Sequence, residues 1–347
     1  MRRALAVTAV AGAAWVARRA LSRRIAASPL WPLPALGTPV SGYSPRRPLR
    51  ALIVSRTEPA EGVLRLTVES PELPAWTPGA HVDVVLPSGL VRQYSLCGDP
   101  ADAGTYTIAV RLIEDGRGGS REAHALLVEG AELELRPPRN RFELVPAPSY
   151  VFVAGGIGIT PILPMLRAAT AAGADWTLLY GGRSRASMPF LADLAVHGDR
   201  VTVVPEDEAG LPDLSVLAAA RPGTLVYCCG PEPLMAAVTA AAADPAAVRL
   251  ERFAPSAPGP ARPFTVELRR SGRTVEVGAA ESALAAVRRE LPDTPYSCEQ
   301  GFCGTCQQRV LAGEVEHRDE LLTDGEREDS MLLCVSRAKD GHLALDL

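Results

Sequence analysis

The chain has 347 residues, of which 47% are hydrophobic and 22% charged, and its formal net charge is −4. That length exceeds one ordinary core and predicts two or three domains, while the composition excludes a disordered chain. The negative balance argues against a nucleic-acid binder, which needs a basic face.

At the N-terminus, Met1-Arg2-Arg3 precedes an apolar run from Ala4 to Ala17, and Arg18-Arg19 and Arg23-Arg24 follow it. The run is shorter than the about 20 residues that span a hydrocarbon core. A charged start and a short apolar run resemble a signal peptide, but the basic residues after the run oppose export. Residues 1–24 therefore read either as a disordered or weakly helical tail or as a basic amphipathic segment lying on a membrane or a partner. Residues 1–48 form an extension ending in the Pro-, Gly-, Ser- and Arg-rich stretch Gly37–Pro48.

Short strand-like runs come next, at Arg50–Ser55, Val63–Glu69, His81–Leu86, Arg92–Leu96 and Tyr106–Leu112, punctuated by Pro and Gly. This pattern predicts a small antiparallel β-barrel over residues 49–146. From residue 147 to 254 the texture changes. Tyr150–Ala154, Trp176–Tyr180, Val201–Val204 and Thr224–Cys228 are continuous apolar runs with Ala-rich helical stretches between them, which predicts an α/β domain with a parallel sheet. The first run turns through Gly155-Gly156-Ile157-Gly158 into a helix with Pro161 in its first turn and its end near Gly173. A Pro-rich linker over 255–262 leads to the last domain, 263–347. There Phe264–Arg270 and Thr274–Val277 predict a hairpin, and Ser282 caps a helix to Leu291.

Seven cysteines cannot all pair. Cys298, Cys303, Cys306 and Cys334 follow the C-x4-C-x2-C…C spacing of a plant-type [2Fe–2S] centre, whose irons take four thiolates. Gly301 and Gly304 allow the loop backbone to approach the sulfurs. A structural zinc site would use a second close pair, which is lacking here. Such ligation belongs in a reducing compartment, and the expected location is the cytoplasm.

The glycine turn after Tyr150–Ala154 suits a pyrophosphate at a helix N-terminus, or merely a tight helix–strand packing, since it is not G-x-G-x-x-G. Cys228-Cys229-Gly230-Pro231 ends another buried strand and begins a helix. In a parallel sheet both turns face one crevice at the C-terminal strand ends. Arg183 and Arg185 suit the adenosine half of a nucleotide or an ordinary charged surface. In the barrel, Arg92-Gln93-Tyr94-Ser95-Leu96 reads by itself as an ordinary strand end; the functional alternative has Arg92 neutralise a phosphate, Tyr94 line a flavin ring and Ser95 bond its reactive nitrogen. Gly116-Arg117-Gly118-Gly119-Ser120 reads as a phosphate cradle or a surface hairpin.

Taken together, RQYSL (92–96), GRGGS (116–120), GGIGITP (155–161), YCCGP (227–231), CEQGFCGTC (298–306) and the ending from Leu332 resemble the phthalate dioxygenase reductase and vanillate demethylase reductase family. The resemblance runs from about Leu49 to Leu347 and implies an antiparallel flavin barrel, an α/β nicotinamide domain and a β-grasp-like ferredoxin domain. It implies FMN in preference to FAD and NADH in preference to NADPH. It further implies that Arg92, Tyr94 and Ser95 touch the flavin, with Ala109, Val110 and Arg111 flanking it. Gly118, Gly119 and Ser120 would hold its phosphate. Gly156 and Thr160 would meet the nicotinamide cofactor, Cys229 would stand by the transferring carbon, and Phe253 would pack on the flavin; Arg183 and Gly230, from their strand-end positions, are further candidate contacts of that cofactor. The implied activity passes electrons from NADH through FMN to the cluster and on to a terminal oxygenase, either a Rieske non-haem iron enzyme or a cytochrome P450. A stand-alone flavin or ferric reductase, or a redox carrier without hydride chemistry, are the rival readings. A plant-type cluster near about −400 mV is poorly matched to a nicotinamide donor, so hydrogen bonds to the sulfurs and local charge are expected to raise its potential.

Overall fold

Strand β1 (Leu49–Ala60) begins the described part of the chain, where period-2 burial at Ala51 and Ile53 turns one face of the strand inward. The computed structural model describes residues 48–253, 262–319 and 321–347. The extension before residue 48, including residues 1–24, lies outside the described residues, as do residues 254–261, which hold all of the 255–262 linker but Arg262. The strands β2 (Val63–Glu69), β3 (Ala80–Val85), β4 (Val91–Ser95), β5 (Thr105–Arg111), β6 (Glu132–Leu135) and β7 (Arg139–Asn140) complete the first sheet. Its antiparallel path runs β4-β3-β6-β1-β2-β5, with β7 added to β3. A bridge between Leu96 and Ile108 joins the two ends, so the sheet closes on itself and leaves no long free edge. Ile53, Leu64, Leu66, Val82, Val84 and Ile108 fill the interior. Helix α1 (Gly119–Leu126) follows β5 and tucks Ala123 into that core.

The second sheet is wholly parallel. It comprises β8 (Ser149–Gly155), β9 (Asp175–Gly182), β10 (Val201–Pro205), β11 (Thr224–Cys229) and β12 (Val248–Glu251), in the order β10-β9-β8-β11-β12. The order reverses between β8 and β11, which puts the ligand crevice at their C-terminal ends. Helix α2 (Ile159–Ala171), entered through a 3-10 turn over Gly156–Gly158, covers one face, and α3 (Glu232–Ala241), with Pro231 as N-cap, covers the other. Phe152, Trp176, Tyr180 and Tyr227 are essentially inaccessible, each burial worth about 1.5–3 kcal/mol. Their polar tips are satisfied: the Tyr227 hydroxyl donates to Glu143 O (2.9 Å) and accepts from Val145 N (2.8 Å), and Tyr150 accepts from Ala147 N (2.8 Å). These bonds tie the segment between the two sheets onto the parallel one. Val63, Cys97, Ala109 and Phe142 of the first domain share a core with α2, and Arg167 donates to Gly98 O (2.7 Å), so barrel and α/β domain are fixed to each other.

The third sheet is mixed: β13 (Phe264–Leu268), β14 (Arg273–Val277), β15 (Gln307–Ala312), β17 (Ser330–Leu332) and β19 (His342–Leu345) lie in the order β14-β13-β19-β15-β17. The short strands β16 (Val315–Glu316) and β18 (Arg337–Ala338) pair separately. Helix α4 (Ala283–Glu290) packs Leu284 and Val287 on the sheet, and the Ser282 side chain caps it by accepting from Ala285 N at 3.1 Å. One helix grasped by a mixed sheet is the β-grasp arrangement expected. Among the described residues no helix is long and apolar enough to cross a membrane.

Candidate functional site

Strand alternation decides which barrel residues reach the surface that matters. Arg92, Tyr94 and Ser95 on β4 and Ala109 and Arg111 on β5 line a cavity of about 300 Å³ beside the barrel. Val110, between the last two, points the other way into the barrel core at 1% exposure, so its side chain is not part of the cavity. Burial pushes the Tyr94 phenol up, which keeps it neutral. The α1 N-terminus forms one end of the cavity. Gly118 has φ +79 with open space around it, while Gly119 lies so close to Arg92 that a Cβ there would sit 2.2 Å from Nε. Arg92 is held in turn by the carbonyls of Val91 (2.9 Å), Arg117 (2.9 Å) and Ser297 (3.3 Å). Ser120 Oγ accepts from Ile113 N at 3.0 Å, which pins the turn. A guanidinium, open backbone N–H groups and a helix start fit a phosphate, and the cavity volume fits a small-molecule site.

The α/β domain closes the same cavity with Ile157 and Thr160, and Phe253 and Glu251 come from the end of β12. Thr160 is 2% exposed, and its hydroxyl donates to Ile157 O at 2.9 Å. His81, Gln93 and Glu251, together with Gln300 and Phe302 of the cysteine loop, also line it. None of these five is singled out by the sequence reading. Glu251 stands directly across from Cys229 in the β11–β12 register, a pairing that only the sheet order reveals. His81 Nδ1 lies 4.0 Å from Glu251 Oε1. Burial, then Arg139 and Arg141, lower the His81 pKa to about 3.

A second cavity of about 430 Å³ lies over the C-terminal ends of β8, β9, β10 and β11. Gly155, Gly156, Gly181, Arg183 and Pro231 line it, and Arg111 lines both cavities, so the two adjoin at that guanidinium. The glycines there are steric necessities: a Cβ on Gly158 would lie 2.2 Å from Cys229 O, and one on Gly230 would lie 3.0 Å from the Gly155 backbone. The helix start thus sits against the switch point, as a dinucleotide site needs. Arg183 and Arg185 are separated in role, because Arg185 is taken by Glu208 at 2.9 Å while Arg183 faces the cavity. Cys229 has 0% exposure and is not among the side chains lining either cavity. Burial first, then Glu251, holds its thiol well above the ordinary range.

Cys298, Cys303, Cys306 and Cys334 are all buried, and all seven cysteines are free of disulfides. Cys298 contacts Cys303, Cys306 contacts Cys334, and Cys298 also meets Cys334. Among the described residues no three His, Cys, Asp or Glu side chains converge on a single ion. The four thiols form one run of contacts, Cys303–Cys298–Cys334–Cys306, which gathers the four thiolates that a two-iron cluster takes. Gln300 N points at Cys298 Sγ (3.3 Å), and Thr305 Oγ1 lies 3.3 Å from Cys303 Sγ. Positive φ at Glu299, Gly301 and Gly304 (+54, +81 and +74) curls the loop so that its N–H groups face the sulfurs.

Comparison with known proteins agrees with this layout. Residues 266–339 match the 2Fe-2S iron-sulfur cluster binding domain and residues 152–240 the oxidoreductase NAD-binding domain. The chain is 43% identical over 300 residues to phenoxybenzoate dioxygenase subunit beta of Ectopseudomonas oleovorans, covering 83% of this chain and 94% of that one. A solved phthalate dioxygenase reductase, described as a modular structure for electron transfer from pyridine nucleotides to [2Fe–2S], is 36% identical with a TM-score of 0.65, over 87% of this chain and 98% of that one. An intact type IV self-sufficient cytochrome P450 monooxygenase is 42% identical with a TM-score of 0.68, and the match covers 86% of this chain but only 41% of the longer one. The chain belongs to the phthalate dioxygenase reductase family of electron-transferring oxidoreductases, which joins an NAD-binding domain to a [2Fe–2S] domain.

Proposed function

We propose that the protein takes hydride from NADH, passes it to FMN in the 300 Å³ cavity, and sends single electrons through the [2Fe–2S] cluster to a terminal oxygenase in the cytoplasm. The observation that carries this reading is continuity: Arg111 belongs to both cavities, and Gln300 and Phe302 of the cysteine loop form a wall of the first. One small volume thus touches the nucleotide cleft on one side and the cluster loop on the other. A bound flavin supplies the conversion of a two-electron hydride into single electrons, and the protein supplies orientation and electrostatics.

In this reading Arg92 and the backbone of Gly118, Gly119 and Ser120 bind the flavin phosphate. Tyr94, Ala109 and Phe253 enclose its ring, and the Ser95 hydroxyl bonds its reactive edge. Val110 contributes backbone alone. Gly156 and Gly230 let the pyrophosphate approach the sheet, Thr160 closes the gap between nucleotide and flavin, and Arg183 binds the adenosine half. Cys229 acts from behind Gly158 as part of the packed floor of the hydride site. The dioxygenase subunit and the P450 fusion among the relatives support a terminal oxygenase of Rieske or P450 type as the electron acceptor. Anaerobic visible spectra of the purified protein, with mass identification of the released flavin, test the reading. Bleaching of both flavin and cluster by NADH is expected; protein that retains cluster absorbance but binds no flavin would refute it.

A further inference from the structure

Strand β3 has two faces with different duties. Ala80, Val82 and Val84 fill the barrel core, whereas Asp83 and Val85 point outward, where the cysteine loop covers them. Asp83 is 1% exposed, an unusual place for a carboxylate in a strand that an apolar residue would stabilise as well. We propose that Asp83, Arg136 and Arg139 form a latch that holds the cluster loop against the barrel and so positions the [2Fe–2S] cluster to receive electrons from the flavin cavity. The inference rests on the reading of that cavity as the flavin site.

Arg139 Nη2 lies 2.9 Å from both carboxylate oxygens of Asp83, and Arg136 Nη1 lies 3.8 Å from Oδ2. The Arg136 backbone N–H also donates to Asp83 O at 2.9 Å, which fixes the start of that side chain. Gln93, a cavity residue, approaches Asp83 Oδ1 at 3.4 Å. From this anchor the guanidinium groups reach across the domain boundary. Arg136 Nη1 donates to the carbonyl of Cys303 at 2.9 Å, and Arg139 Nη2 to that of Phe302 at 3.5 Å. The first carbonyl belongs to a cluster ligand and the second to a residue lining the flavin cavity. On the same face Val91 N donates to Ser297 Oγ at 2.6 Å, beside Cys298, so the loop is gripped at both ends. A planar guanidinium offers several donors in fixed directions and can hold a carboxylate and a carbonyl at once. One carboxylate and two guanidinium groups leave the latch with a net charge of +1, placed next to the cluster. Arg136 and Arg139 are therefore positioning residues with a charge effect, and Asp83 is a positioning residue that opposes that charge.

That opposition gives the test. Anaerobic stopped-flow of the flavin- and cluster-loaded protein with NADH resolves flavin reduction from cluster reduction, and a redox titration measures the cluster potential. In Asp83→Asn, loss of a negative charge raises the potential or leaves it unchanged, which alone would speed cluster reduction. The latch predicts the reverse: cluster reduction slower by about tenfold or more, as small misplacements cost, with flavin reduction within about twofold of the parent. Arg136→Met, a change at a side chain only 22% exposed that keeps its stem, is expected to lower the potential and also slow the cluster phase. Parent cluster-reduction rates in folded Arg136→Met, or in folded Asp83→Asn, would overturn the latch. So would a potential in Asp83→Asn that falls along with the rate. Should Asp83→Asn fail to fold, Arg136→Lys decides the matter: it keeps the positive charge but not the guanidinium fork, so a slower cluster phase at an unchanged potential is expected, and a parent rate would overturn the latch. Failure of the unmodified protein to show a flavin phase would instead count against the flavin reading itself.

Discussion

Replacing Gly119 with alanine adds one methyl group and tests the proposed flavin phosphate site directly. Gly119 lacks a positive φ and sits in the first turn of α1, so the backbone tolerates alanine and gains helix propensity of up to about 1 kcal/mol. The new Cβ, however, would lie 2.2 Å from Arg92 Nε and 2.8 Å from both Cγ and Cζ, so the whole side chain must leave its place. Arg92 then gives up its carbonyl partners at Val91, Arg117 and Ser297 and its approach to the phosphate. A hydrogen bond to a charged group is worth about 1.5–3 kcal/mol, which converts to a loss of flavin affinity of about 10- to 150-fold. Gly118→Ala is the control: its φ of +79 imposes strain of about 1–2 kcal/mol, but nothing lies within 4 Å to be displaced. Fluorescence titration of flavin-stripped protein with FMN reads the affinity, and a urea midpoint reads the stability. Gly119→Ala should bind FMN far more weakly and also lose some stability with the displaced Arg92 carbonyl contacts, whereas Gly118→Ala should lose stability by its backbone strain while its FMN affinity stays closer to the parent's. An affinity for Gly119→Ala within about twofold of the parent, or equal losses in both variants, would refute the assignment of Arg92 to the phosphate.

Cys306→Ser should remove the cluster's visible absorbance and electron paramagnetic signal and abolish NADH-dependent cytochrome c reduction while flavin bleaching persists; a retained cluster would contradict its role as ligand. Arg183→Ala should raise KM for NADH about tenfold with kcat little changed, the pattern of lost uniform binding, and an unchanged KM would return this arginine to the ordinary surface. His81 gives a pH signature. The unfolded chain protonates it below pH 6.5 and the folded chain only near pH 3, because burial, Arg139 and Arg141 disfavour the imidazolium. Stability is therefore fully present above pH 6.5 and falls as pH drops through that interval. His81→Asn should lose less stability than the parent between pH 7.5 and 5 in urea melts; equal losses would show that His81 carries no such linkage.

The local patterns in this chain are strong because each obeys a short-range rule. Continuous apolar runs at Tyr150–Ala154 and Thr224–Cys228 mark strands buried on both faces, and these appear as β8 and β11. Ser282 caps α4, and Pro231 precedes α3, as capping chemistry demands. Strands β6, β12, β15 and β19 escaped notice: β6 alternates as Glu-Leu-Glu-Leu but is only four residues long, and the others gain their pairing from strands far away in sequence. Strand β1 likewise runs on to Ala60, well past the apolar stretch that announced it, because β2 continues to pair with it.

The cluster cysteines, the glycine turns and the order of the domains could be read from the amino acids alone, because ligand spacing and turn chemistry act over a few residues. The orientation of Val110, the burial of Cys229 and the division of labour between Arg183 and Arg185 could not, since each depends on which face a strand presents and which neighbour arrives there. The same holds for the wall that joins the two active regions. Residues as far apart as Asp83, Arg136 and Cys303 meet because the barrel closes and the cysteine loop then docks on its outer face. Contacts between segments that are remote along the chain are products of packing, and no local signal encodes them.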